Sequence, residues 1–402
     1  MKNNIFHTQD LCFAQTCDAL ESSAEMEIYM KVVIAIDSFK GSMTSMEAGN
    51  AAKKGILAAK PDAEVWLSPL ADGGEGTVDA LIEGLGAEKI PVTVAGPLGE
   101  KVSCYYGFLE ETKTAVMEMA SAAGITLVTK KDPLRASTYG VGEMIADALK
   151  RGCKNFMIGI GGSATNDGGI GMLKALGFEF FDKNGNDVGE GAAALAKIAE
   201  IRTEKKNPLL SGTKFQIACD VKNPLCGKQG ATYIFGPQKG VTEEQKEQVD
   251  EAMRHYADVT KESLDCDFAD CEGAGAAGGL GYAFLSYLAG ELIPGVELIL
   301  QATGLEEKMK NADVVVTGEG RLDAQTVMGK APAGVAALAK KYNAKVIAFA
   351  GSVAPEAKVC NRAGIDAFFP IVRGVTTLEE AMKKENAMEN IAATAEQVFR
   401  LL

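Results

Sequence analysis

A chain of 402 residues exceeds the roughly 100–200 residues of an ordinary domain, so two domains are expected, and 47% apolar with 24% charged residues is the composition of a packed globular protein. A formal net charge of −13 argues against nucleic acid and anionic membrane surfaces as partners, because the field of the whole molecule repels both. No run approaches the roughly 18 apolar residues of a membrane span and no secretory signal opens the chain, so a cytoplasmic protein is expected.

Residues 1–29 are compositionally detached from the rest of the chain and read as an N-terminal extension or a mis-set start. Beyond them, short β-branched runs at 31–36, 64–67, 114–118 and 155–160 alternate with helix-period segments at 45–59, 77–84 and 142–150. The alternation continues with strands at 214–218, 313–317, 345–350 and 367–372 and a helix at 242–260. Repeated βα order predicts an α/β protein whose parallel sheets are covered by helices. Thr44 and Glu47 have capping-box spacing at the start of the first helix. No fixed-period repeat and no Pro/Ser linker marks a boundary, so nested and tandem domains stay equally open.

Strand after strand ends in a polar or glycine-rich cluster, at the edge where open α/β sheets bind ligands. Strand 31–36 runs into Asp37, Ser38, Lys40 and Ser42, and strand 64–67 into Asp72, Glu75 and Thr77. Strand 155–160 runs into Gly161, Gly162, Ser163, Thr165, Asn166 and Asp167. Glycines there let backbone N–H groups face an anion ahead of a helix N-terminus, although a tight turn capped by Ser163 or Thr165 reads equally well. Asp220, Glu319 and Asp323 add carboxylates near other strand ends, oxygen ligands of the kind that suit Mg²⁺ but also common loop hydrogen-bonders. Lys40, Lys239, Arg321 and Lys330 place positive charge in the same loops despite the acidic whole, which suits an anionic substrate. Nine scattered cysteines lack metal-ligand spacing, and His7 and His255 are too few for a histidine metal site or a Ser-His-Asp triad.

Two nucleotide motifs compete with that reading. The P-loop pattern fails because Gly329-Lys330 is followed by Ala331 and position 324 is alanine. Gly159-Ile-Gly161-Gly-Ser-Ala164 does match the dinucleotide fingerprint, with Glu179 at the ribose-binding distance, and 273–278 matches again without a preceding strand. An NAD(P)-binding oxidoreductase and a non-catalytic sensor of a small phosphorylated acid therefore stand beside a kinase.

The segments 37–42, 71–77, 159–169, 219–225, 235–240, 273–281 and 318–330 together resemble the bacterial glycerate kinases outside the P-loop and actin-like folds, and the likeness runs from Met30 nearly to the C-terminus. The resemblance implies two three-layer α/β domains: one Rossmann-like and built from residues 30–90 and 295–402, the other flavodoxin-like and inserted as residues 91–294. It implies transfer of the γ-phosphoryl group of ATP to D-glycerate with Mg²⁺, 2-phosphoglycerate being the expected product, and leaves a homodimer among the open assemblies. On this expectation Gly161, Gly162, Ser163, Thr165, Asn166 and Asp167 cradle ATP phosphates, and Lys40 and Arg321 bind anionic oxygens. Asp220 is the expected general base, Asp37, Ser38, Glu75 and Asp323 contact substrate, and Asp72 and Glu319 hold Mg²⁺.

Overall fold

The computed structural model describes residues 29–71 and 76–402. The expected extension before Met30 lies outside them save for Tyr29, and so do Asp72 and Glu75.

In chain order the described strands are β1 (Lys31–Ile36), β2 (Glu64–Leu67), β3 (Glu88–Ala95), β4 (Lys101–Leu109), β5 (Thr114–Glu118), β6 (Asn155–Gly159) and β7 (Glu179–Phe181). They continue with β8 (Glu200–Arg202), β9 (Lys214–Ala218), β10 (Glu291–Ile293), β11 (Val314–Leu322), β12 (Lys345–Val353) and β13 (Ala367–Pro370). One parallel sheet has the order β13-β12-β11-β1-β2, and a second has the order β10-β9-β6-β5-β4-β3. The first sheet thus joins strands from the two ends of the described chain, with Ile34 opposite Val316, while the second comes from the middle. β7 and β8 form a separate antiparallel ribbon.

Both faces of the first sheet are buried, which explains why its strands read as almost unbroken apolar runs. Val33, Ala35, Val315 and Ala348 face one core; Val32, Ile34, Val316 and Phe349 face the other. Helix Ser45–Ala59 covers the second face together with helix Lys384–Phe399. The two helices approach so closely that a Cβ on Gly55 would stand 1.9 Å from the Ala392 carbonyl oxygen, a contact only glycine permits. The expected capping box is present: Thr44 Oγ1 accepts from the Glu47 N–H at 3.2 Å, and Glu47 Oε2 accepts from the Thr44 N–H at 3.0 Å.

The second sheet is parallel from β10 to β5 and continues antiparallel through β4 and β3. These two strands escape a search for apolar runs because β3 alternates, burying Ile90 and Val94 while leaving Glu88, Lys89 and Pro91 in solvent. At the centre, Phe156 of β6 stacks on Phe215 of β9 with ring centroids 4.7 Å apart. Val78 and Leu81 of helix Thr77–Leu85 join one apolar cluster that takes in Val116 of β5 and Val33 of β1, so the two sheets share packing. Among the described residues no helix is long and apolar enough to cross a membrane.

Candidate active site

Among the described residues, the polar ends of β1 and β11 open into one cleft and those of β6 and β9 into another, one at the carboxyl edge of each main sheet, and the two share no lining residue. This differs from a single pocket fed by every loop. The larger, about 730 Å³, sits over the ends of β1, β11, β12 and β13 and is lined by Asp37, Ser38, Lys40, Glu319, Arg321 and Asp323 among others. The smaller, about 260 Å³, sits over β6 and β9 and is lined by Gly161, Gly162, Ser163, Asp220, Gln238 and Lys239 among others. Clefts at these edges follow from strand polarity, since every βα turn of a parallel sheet emerges on the same side.

In the larger cleft Asp37 is nearly buried, and its Oδ1 accepts from the Ser38 N–H at 2.7 Å. Glu319 is buried on β11; its Oε1 accepts from Thr326 Oγ1 at 2.6 Å and its Oε2 lies 3.4 Å from Lys330 Nζ. Burial raises the Glu319 pKa, while the Thr326 hydroxyl and Lys330 ammonium oppose the rise. Arg321 is largely exposed, with Nε 3.6 Å from Asp323 Oδ2, a distance too long to commit the guanidinium to that partner. The far wall is apolar, formed by Ile371, Leu378, Met382 and Ala387. Sequence pattern does not reveal that wall, because the short helix Leu378–Met382 offers only one turn of amphipathic pattern to read.

In the smaller cleft the turn 161–163 is held open by Gly162, at φ +72°, and a Cβ on Gly161 would meet nothing within 4 Å. Asp220 follows β9, and its Oδ1 accepts from the Gly295 N–H at 2.9 Å, which ties it to the start of helix Gly295–Ala302. Thr165, Asn166 and Asp167 are fully buried and do not line the cleft. Asp167 Oδ2 accepts from the Thr138 N–H and Oγ1, each at 2.8 Å, and from the Gly171 N–H at 3.3 Å; Oδ1 accepts from the Gly169 N–H at 3.1 Å. Burial raises its pKa against the pull of those donors. Asn166 Nδ2 donates to Thr232 Oγ1 at 3.0 Å, and the Thr165 carbonyl accepts from Lys239 Nζ at 2.6 Å. These three residues therefore fix the shape of the loop from behind.

A dinucleotide site needs an acidic residue at the end of a neighbouring parallel strand. Glu179 instead lies on the antiparallel ribbon, paired with Lys205 at 2.9 Å, and the helix after the glycines spans only Ile170–Ala175. The second glycine match lies in the turn Ala276–Gly278, which packs against Thr165. His255 bonds to the Ile198 carbonyl at 2.7 Å, away from both clefts.

Comparison with known proteins gives one consistent result. The family model described as "Glycerate kinase family" matches residues 32–402. The glycerate kinase of Halalkalibacterium halodurans is 47% identical over 371 residues, covering 90% of this chain and 98% of that protein. The glycerate 2-kinase of Escherichia coli is 45% identical, covering 91% and 98%. A crystal structure of a Salmonella typhimurium LT2 protein, provisionally named glycerate kinase 2, superposes with a TM-score of 0.85 at 43% identity and covers 92% of this chain and 97% of that one.

Proposed function

The chain belongs to the glycerate kinase family, and from that premise we propose that it transfers the γ-phosphoryl group of ATP to D-glycerate in the cytoplasm, giving 2-phosphoglycerate. The observation that carries this reading is the pair of clefts of unequal size, the larger pairing three basic side chains (Lys40, Arg321, Lys330) with three carboxylates (Asp37, Glu319, Asp323) beside an apolar wall, the smaller holding Asp220 and Lys239. Sites for nucleotide-sized ligands run to roughly 300–1,000 Å³. The cleft of about 730 Å³ falls within that range and the cleft of about 260 Å³ below it, so we seat ATP in the first and the acid in the second.

In this arrangement Ile371, Leu378 and Met382 pack on the base, and Lys40, Arg321 and Lys330 bind phosphate oxygens. The oxygen donors of that cleft suit a Mg²⁺ that keeps several waters, and Glu319 with Asp37 would hold it. When bound, Mg²⁺ neutralises charge on the phosphate oxygens. Asp220 takes the proton of the attacking hydroxyl, and Gly161, Gly162 and Ser163 receive the phosphoryl group as it crosses. Thr165, Asn166 and Asp167 act by holding that turn. Asp323 places its carboxylate near Arg321 and Lys330 without committing either, and the Ser38 N–H caps the Asp37 carboxylate.

We divide the chain into a domain of residues 30–90 and 295–402 around an inserted domain of residues 91–294. The separate strand sets of the two sheets support this division, with the crossing drawn a few residues earlier because β3 opens at Glu88. Transfer between clefts without a shared wall calls for the sheets to close on the ligand pair. Small-angle scattering should show the radius of gyration falling only when a non-hydrolysable ATP analogue and D-glycerate are both present. An unchanged profile would sink the two-cleft seating.

The activity itself is tested by ADP release with D-glycerate, ATP and Mg²⁺, followed by enolase added without phosphoglycerate mutase. Direct formation of phosphoenolpyruvate identifies the 2-phosphate. ADP release without it identifies the 3-phosphate, and no ADP release removes the kinase reading.

A further inference from the structure

Helix Ala231–Lys239 ends on a lysine that is only 2% exposed, although lysine is among the residues least often buried without a partner. Its one hydrogen bond among the described residues runs from Nζ to the Thr165 carbonyl at 2.6 Å, so two of the three ammonium donors have no protein acceptor there. The side chain lines the smaller cleft beside Gly161 and Gly162, which put no side chain in front of it. A buried ammonium with open donors is costly unless an anion completes it.

Resting on the seating of the acid in this cleft, we propose that Lys239 is its anion receptor, binding the carboxylate of D-glycerate while the Thr165 carbonyl fixes the ammonium in place. The groups facing it account for its charge. Asp167, in the loop after β6, attracts the ammonium through space, but its two oxygens are already filled by Thr138, Gly169 and Gly171. From the loop after β9, Asp220 lines the same cleft and Cys219 carries a thiol whose pKa burial raises. Turn Ala276–Gly278 brings no ionisable side chain. Helix Glu243–Leu264 contributes Tyr256, held neutral by burial, and Asp250, which accepts from the Gly227 N–H at 2.9 Å.

Burial, opposed only by Asp167, pushes the Lys239 pKa down to about 7. Above that pH the free enzyme holds the amine mainly neutral, and an arriving carboxylate restores its charge. Binding of the acid is then linked to proton uptake, and glycerate affinity weakens about tenfold per pH unit above 7. The receptor thereby selects small acids over neutral polyols of the same size.

The test is calorimetric titration of D-glycerate at pH 8 in Tris and in HEPES, with a β,γ-methylene ATP analogue and Mg²⁺ present throughout. The expected result is uptake of about one proton per glycerate bound. Lys239→Met should raise the glycerate KM about a hundredfold or more, leave the ATP KM within about threefold and abolish the uptake. A folded Lys239→Met enzyme with a parental glycerate KM overturns the proposal; should that variant not fold, the absence of proton uptake in the parent does so. Either outcome in an enzyme that still releases ADP with D-glycerate removes only the role of Lys239, whereas no ADP release from the parent removes the kinase reading beneath it.

Discussion

Asp220→Asn is expected to lower kcat by about 10²–10⁴ at saturating substrates, the usual contribution of a positioned general base, with the ATP KM little changed. The substitution is chosen for what it preserves. Asparagine keeps an oxygen to accept the Gly295 N–H, so the start of helix Gly295–Ala302 stays anchored while the proton acceptor is lost. Asp220→Ala removes the anchor as well and would mix loss of chemistry with local unfolding. Equal thermal midpoints for Asp220→Asn and the parent, together with a reduced kcat, identify the chemical role. A kcat within about threefold of the parent would rule it out.

The second large effect falls on stability. Asp167→Ala strips the acceptor from three backbone N–H groups and one hydroxyl that are all buried around residues 138 and 169–171. At about 1–3 kcal/mol for each donor left without water or partner, and with some relaxation, a loss of about 4 kcal/mol is expected. That is a large share of the roughly 5–15 kcal/mol by which a typical domain is stable, so the variant should unfold at markedly lower urea concentration. An unchanged urea midpoint would show that the donors find other acceptors. Asp167→Asn should fall between the two, because its amide keeps one acceptor oxygen but turns an N–H₂ toward donors.

These two aspartates show where the sequence is legible. Both follow a strand, both stand in glycine-containing loops, and nothing in their type distinguishes them. Asp220 lines a cleft, whereas the Asp167 side chain turns inward to join the starts of two helices, a difference set by the glycine dihedrals of the loop. Most of the parallel strands are readable because burial on both faces demands continuous apolar runs; the three-residue parallel β10 is too short to show one, and the antiparallel β3 and β4, with solvent-facing residues along them, are not readable in that way either. Strand polarity made the edge that carries the clefts predictable as well. Their division into two was not, since which loops converge depends on which sheet each strand joins, and β1 pairs with β11 rather than with its neighbours from the middle of the chain. The apolar wall at 371–387 was hidden for the same reason, as it reaches the larger cleft only through the docking of helix Lys384–Phe399.

Pairing between β1 and β11 also sets a timetable for synthesis. Lys31 waits for Asp313, which is 282 residues further along. At roughly 5–20 residues per second on the ribosome, about 15–60 seconds pass with the apolar edge of β1 unmatched. All strands of the middle sheet have emerged before β11 is complete, so that sheet is free to collapse first, while the opening βαβ segment presents a sticky, unfinished surface to other nascent chains. A holdase that shields this segment, or a circular permutant that brings β11 ahead of β1, would relieve the delay.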